Sequence, residues 1–203
     1  MCNAKTHSIL NLQSMKNIPL LMILFLTFGC SESENEVYIQ EFEWTLNIPT
    51  DFKDVPSKTR MESQKKGMKM IESAYPDNEI NIVARNLFHF NNGKYNSMQA
   101  QFSELNSEQN FMDKFNEANE IVIKAFTKDR PNTKIEKNTS EKIIDGLEFK
   151  MFNMKTQNEN GENYEFTVYS RMFDRKQLEI IILSSESEKR KLIEKSILES
   201  KFN

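Results

Sequence analysis

The chain has 203 residues, 27 Lys+Arg against 30 Asp+Glu, two Cys, two His, one Trp and five Gly. Two cysteines cannot build a Cys-rich zinc site or a disulfide framework, and the scattered glycines form neither a GxGxxG nor a GxxxxGK-Ser/Thr phosphate loop. A net charge of −3 lacks the clustered positive charge on which nucleic-acid binding rests, while 38% apolar and 28% charged residues fit one globular domain with no cofactor motif.

Ile18 to Phe28 carries no charge. A helix crosses a bilayer with about 20 apolar residues; this shorter run fits the apolar core of a secretory signal peptide, with Lys16 as its positive flank. Gly29 and Cys30 follow. The segment Leu26-Thr27-Phe28-Gly29-Cys30 resembles the lipobox of bacterial lipoproteins, in the Bacteroidetes-type form with a bulky residue before the Gly. The usual form has Leu at the third position before Cys and Ala or Ser next, where this chain has Thr27 and Phe28. The resemblance implies cleavage after Gly29, a diacylglyceryl thioether on Cys30 and an acylated (palmitate-type) amine there, hence a stable membrane anchor, since two or three chains hold where one does not. Met15-Lys16 would itself start a complete short signal, so residues 1–14 read as a start-site extension. Lys5 and Lys16 leave with residues 1–29 and no acid does, making the remainder two charges more negative.

Residues 30–40 read as acylated cysteine plus acidic tether, with Glu32, Glu34 and Glu36 repelled by an anionic membrane surface. Ser31 in place of Asp after the cysteine points to the outer membrane of the cell envelope. The acidic run also resembles the surface-export signal of Bacteroidetes lipoproteins, against the plainer reading of a solvated linker, so the face occupied stays open. Residues 41–203 are expected to form a single α+β domain.

Within it, Phe42, Trp44, Leu46 and Ile48 alternate with polar residues and predict a strand stopped by Pro49. Ser57 caps a helix to about Tyr75, with Met61, Met68, Ile71, Ala74 and Tyr75 near one face. Glu79 to Phe90 is strand-like, Asn91-Asn92-Gly93 a hairpin turn, and Tyr95 to Leu105 its antiparallel partner. Asn106 or Ser107 caps a helix whose Phe111, Phe115, Ala118, Val122, Ala125 and Phe126 form one stripe; Pro131 stops it. Lys134–Lys137 and Glu141–Ile144 are weak strands around a polar turn. Asp145-Gly146 is a hairpin signal, and Leu147–Thr156, Tyr164–Phe173 and Leu178–Ser184 form a meander. A last helix opens at Ser187, with Leu192, Ile193, Ile197 and Leu198 inward. The expectation is an antiparallel β-sheet flanked by about three helices.

Three landmarks resemble the PsbP-like α/β/α sandwich superfamily: the strand running into Ile48-Pro49 from Trp44, the Asp145-Gly146-Leu147-Glu148-Phe149-Lys150 hairpin, and the final helix returning into Ser200-Lys201-Phe202. That superfamily includes photosystem extrinsic subunits, a nuclear-transport regulator, secretion chaperones and envelope lipoproteins. The resemblance implies a binding or scaffolding role with an envelope protein partner and no shared catalytic residues.

No catalytic constellation competes with that reading. His89 lies in Leu87-Phe88-His89-Phe90 without a partner of triad or metal type, and reads as a sheet residue. Met61, Met68 and Met70 on one helix and Met151 and Met154 on one strand could offer thioethers to Cu(I), but fill a core more simply. Lys65, Lys66 and Lys69, and Lys189, Arg190 and Lys191, read as solvated basic faces. The expected function is therefore a lipid-anchored, non-enzymatic envelope protein with no cofactor and no metal. The alternative is a small-ligand binder with a pocket between sheet and helices, lined by Phe88, Phe90, Tyr95, Tyr164 and Tyr169.

Overall fold

The computed structural model describes residues 35–74, 84–105, 111–128, 132–158 and 161–203. Gly29 and Cys30, Tyr75 and the strand expected before residue 84, the cap at Asn106 or Ser107, and Pro131 lie outside those residues. Asn35–Asn203 forms one compact unit.

The chain opens with β1 (Glu36–Ile39), a turn of 3₁₀ helix (Gln40–Phe42) and β2 (Trp44–Asn47). The short β3 (Lys53–Asp54) leads into α1 (Ser57–Ala74). The hairpin β4 (Arg85–Asn91) and β5 (Ser97–Glu104) precedes α2 (Phe111–Thr127). Four strands then meander, β6 (Lys134–Ile144), β7 (Leu147–Gln157), β8 (Asn163–Phe173) and β9 (Lys176–Ser184), before α3 (Ser187–Leu198) and β10 (Lys201–Phe202). The strands form two antiparallel sheets: a small one in the order β1-β2-β10 and a seven-stranded one in the order β3-β4-β5-β9-β8-β7-β6. The α+β class and the three helices follow expectation; the division into two sheets does not appear in the hydropathy pattern.

Register sorts the large sheet into two faces, because successive residues of a strand point opposite ways. Phe88, Ala100, Ile180 and Tyr169 lie side by side across β4, β5, β9 and β8. Against this first face pack Trp44 and Leu46 of the small sheet and Ile193 and Ile197 of α3, all 1% exposed or less. The opposite face carries Phe152 and Met154, covered by Phe115 and neighbours of α2, and α1 lies against α2.

Trp44 is the keystone of the first face. Its ring is parallel to that of Phe202, 5.5 Å away, and its indole N–H donates to Ser200 Oγ over 2.8 Å, satisfying the one polar group that a buried tryptophan carries. Ser200 in turn donates to the carbonyl of Ile197 at 2.7 Å. The Asp145-Gly146 turn has φ of +48° and +77°, the left-handed pair that a two-residue hairpin of type I′ needs. Asp145 Oδ2 accepts the backbone N–H of Phe202 at 2.8 Å, and its Oδ1 accepts Lys201 Nζ at 2.9 Å. These two hydrogen bonds, Lys201 first, hold the Asp145 carboxyl below its ordinary range. The hairpin turn thus fastens the last strand.

Three expectations need correction. Residues 36–40 belong to the domain, not to a free tether: Glu36 to Ile39 pair with Asn47 to Trp44. Lys134 to Ile144 is one continuous strand, because the polar Asn138-Thr139-Ser140 is paired to Asn153, Phe152 and Met151 without a break. The outer strand of a sheet tolerates polar residues that a central one would not. Leu192 and Leu198 are 43% and 37% exposed; only the Ile193/Ile197 edge of α3 turns inward. Among the described residues, no helix is long and apolar enough to cross a membrane.

Candidate functional site

A concavity lies where α2 meets the outer strand β6. The apolar stripe of α2 lies over β8 and β7, where Phe126 meets Phe166 and Phe115 covers Phe152, and touches β6 only at Ile135. Beyond it the helix turns polar, and Asn116, Asn119 and Glu120 face Lys137, Asn138 and Thr139 across a cavity of about 340 Å³ floored by Phe152. Lys137 Nζ donates to Glu120 Oε1 at 2.8 Å, tying helix to strand at the rim. Asn119 is only 6% exposed. Its amide has no hydrogen-bond partner among the described residues, so an incoming group with a donor or acceptor would meet a side chain free to answer it.

A second polar cluster sits between α3 and the first face of the sheet. Arg190 Nη2 donates to Glu194 Oε1 at 2.6 Å and to Thr167 Oγ1 at 2.9 Å, and lies 3.3 Å from Glu165 Oε1. Asn153 Nδ2 donates to the same Glu165 oxygen and to Thr167 Oγ1, at 2.9 and 2.8 Å. Arg190 Nη1 is buried and has no hydrogen-bond partner among the described residues. Burial beside this cluster, reinforced by Glu194, pushes the Tyr169 hydroxyl up to about 12. Two carboxylates balance the guanidinium, so the cluster works as a latch that fixes α3 to β7 and β8. Of the basic triplet expected to be solvated, Arg190 therefore points inward, whereas Lys189 pairs with Asp51 at 2.9 Å and Lys191 with Glu188 at 2.7 Å.

On the α2 face, a polar row crosses the sheet. Gln101 donates to Glu179 Oε2 at 2.8 Å, and Gln177 Nε2 donates to Glu179 Oε1 at 3.2 Å and to the buried Ser170 Oγ at 3.0 Å. Burial raises the Glu179 carboxyl above its ordinary range, and the Gln101 hydrogen bond only partly opposes this. His89 stands on the same face, opposite Gln99. Its imidazole is held below its ordinary range by burial and by the positive Arg60, against the attraction of Asp54.

The aromatic residues expected to line one pocket are dispersed. Phe88 packs on Trp44 and Phe90, and Tyr169 is 2% exposed within the same core. Tyr95 and Tyr164 form an edge-on pair 5.0 Å apart elsewhere. A cavity between helix and sheet does exist, but Phe152 is its single aromatic. A further cavity of about 310 Å³ lies among Glu41, Glu104, Phe173, Asp174, Arg175 and Lys176. Met154 is fully buried and Met151 packs against the main core, while Met61 is 57% exposed; the side chain of Met70 lies outside the described set. Among the described residues no three His, Cys, Asp or Glu side chains converge as metal ligands. Sequence reasoning missed the α2–β6 cavity. Its one available signal was the Asn116/Asn119/Glu120 face opposite the apolar stripe.

No protein-family model matches the sequence, and no curated protein sequence matches it significantly. Solved structures do. The solution structure of CyanoP, the cyanobacterial PsbP of Synechocystis, aligns over 86% of this chain and 96% of its own, with a TM-score of 0.52 and 10% identity. A crystal structure from Bacteroides thetaiotaomicron aligns over 84% of this chain with a TM-score of 0.47 and 11% identity, and this chain spans about half of it, 49%. The Ran-binding protein Mog1p of Saccharomyces cerevisiae aligns over 82% of this chain and 94% of its own, with a TM-score of 0.41 and 12% identity. At such identities the likeness concerns architecture alone: two antiparallel sheets and three helices assembled in a PsbP-like fold.

Proposed function

We propose that this protein is a lipid-anchored, non-enzymatic lipoprotein of the bacterial cell envelope, held at the outer membrane through Cys30, whose domain acts by binding a protein partner. The carrying observation is the junction between leader and domain. The lipobox-like Leu26-Thr27-Phe28-Gly29-Cys30 ends six residues before the first strand at Glu36. Residues 31–35, fully extended, reach about 18 Å. A domain on so short a lead stays within a few ångströms to tens of ångströms of the membrane surface, which suits a protein that works against other envelope components. The α2–β6 groove supplies the binding surface in this reading.

Metabolic labelling with palmitate tests the anchor. The full chain takes up label and partitions into membranes, and Cys30→Ala abolishes both; label that survives Cys30→Ala overturns the assignment of that residue. Protease shaving of intact cells decides between the surface and the periplasmic face.

A second reading has one observation in its favour: the Asn119 amide has no hydrogen-bond partner among the described residues. In it the groove takes a small neutral polar ligand, its volume standing at the low end of ligand pockets, which span roughly 300–1,000 Å³. Thermal shifts with a panel of sugars and amides, lost in Asn119→Leu, would select this reading over a protein partner.

A further inference from the structure

From the order of residues along β6 we infer that the outer edge of this strand pairs with the same strand of a second copy, antiparallel and centred on Thr139. This names the partner of the groove proposed above, and so rests on the groove being a protein-binding surface. It does not depend on the lipid anchor.

β6 ends the large sheet, and among the described residues no strand pairs with its outer side. Such an edge offers a row of unpaired backbone N–H and C=O groups. Natural edges are usually protected by proline, by a bulge or by being short. β6 has none of these: its 11 residues run Lys-Ile-Glu-Lys-Asn-Thr-Ser-Glu-Lys-Ile-Ile, and their register with β7 is unbroken. The remaining protection is charge, and the charges are arranged as a palindrome. Two copies aligned antiparallel about Thr139 place Glu136 opposite Lys142 and Lys137 opposite Glu141, each twice by symmetry. They place Ile135 opposite Ile143, Asn138 opposite Ser140, and Thr139 opposite itself. No like charges meet. A slip of two residues to a centre on Asn138 sets Lys134 opposite Lys142, which costs pairing.

Two further observations favour this occupant. Ile143 is 59% exposed on a strand that is otherwise mostly polar outward, and the pairing gives it Ile135 as neighbour. The 340 Å³ cavity opens beside Lys137, Asn138 and Thr139, the midpoint of the palindrome, so the incoming strand has room along α2. The product is a closed two-fold dimer with a self-complementary interface, and its sheet runs continuously through both copies. Glu136 and Lys142 have no ion-pair partner within their own chain among the described residues, so their charges are available.

Cysteine cross-linking of the full chain in membranes tests both contact and register, with the parental chain, whose sequence has Cys2 and Cys30, as background. Thr139→Cys is expected to form a disulfide dimer readily, since directly opposed strand residues have Cα atoms about 4.5–5.5 Å apart. Lys137→Cys alone should not, being offset from its own copy by about 13 Å along the strand. Co-expressed Lys137→Cys and Glu141→Cys chains should cross-link to each other. In the Thr139→Cys background, Glu136→Lys sets like charges opposite each other twice and should lower the yield about tenfold; Glu136→Lys with Lys142→Glu should restore it. Thr139→Cys at the parental background, or Lys137→Cys cross-linking as well as Thr139→Cys, overturns the inference. If Thr139→Cys instead joins a different protein and Glu136→Lys abolishes that product, self-pairing is overturned and the groove remains a partner surface. If Thr139→Cys yields no product of any kind, self-pairing and the protein-partner reading of the groove both fall, and the small-ligand reading takes their place.

Discussion

The two faces of the large sheet are packed by different means. On one, the small sheet and α3 bury Trp44, Phe149, Ile180, Ile182, Ile193 and Ile197 essentially completely. On the other, three buried residues, Phe115, Phe152 and Met154, carry the contact with α2, and the residues around them are only partly covered. That face also carries a polar row around Glu179. Dense packing and open polar surface are therefore segregated. One side holds the fold together; the other has unspent polar groups and an open groove.

Substitutions should separate the two. Trp44→Ala removes the ring that stacks on Phe202 together with its hydrogen bond to Ser200. Cavity-forming losses of this type cost about 3–5 kcal/mol, and Trp44 should fall near 5, seen as global unfolding at lower denaturant. Phe115→Ala should cost nearer 3 kcal/mol, because the thinner cover of α2 can relax into the space. Hydrogen exchange should then show α2 amides losing protection while those of β5, β8 and β9 keep theirs. Equal loss in both sets would mean that the faces are not energetically distinct.

Smaller effects test the polar half of the α2 face. A carboxyl raised above its ordinary value binds a proton more tightly folded than unfolded. Glu179 therefore costs stability as pH rises above about 4.5, its ordinary value, and the full cost is reached above its raised folded value. Glu179→Gln keeps an acceptor for Gln101 and should melt higher than the parent at pH 8, with the difference vanishing towards pH 4. The smallest effect belongs to His89. An imidazole held below its ordinary value of 6.5 resists protonation when folded, so stability is whole above pH 6.5 and falls as pH drops below it. His89→Gln should flatten that limb of the stability profile.

The meander β7–β9, the β4–β5 hairpin and the α2 stripe were legible because each shows a period of two or of 3.6, bounded by turn residues. The missed pieces share a cause: their role depends on a neighbour remote in sequence. Glu36–Ile39 looks like linker, since an outer strand with one buried residue, Ile39, carries almost no hydropathy signal. The centre of β6 looks like a turn for the same reason. Arg190 is indistinguishable from Lys189 and Lys191 until Glu165 and Thr167, more than twenty residues away, arrive beneath it. Phe88, Phe90 and Tyr169 suggested a pocket because aromatic composition cannot tell a lining from a filling. The α2–β6 groove was hidden because it is built from ordinary polar side chains whose only distinction is what they face.

β2 draws its two neighbours from opposite ends of the domain, β1 just before it and β10 at Lys201–Phe202. Trp44 thus waits, through the synthesis of more than 150 further residues, for Ser200 and Phe202 to cover it. The main core is therefore completed only once residues 200–202 have been made, and a domain cut short before β10 leaves the Trp44 indole without its acceptor Ser200 and its stacked ring Phe202.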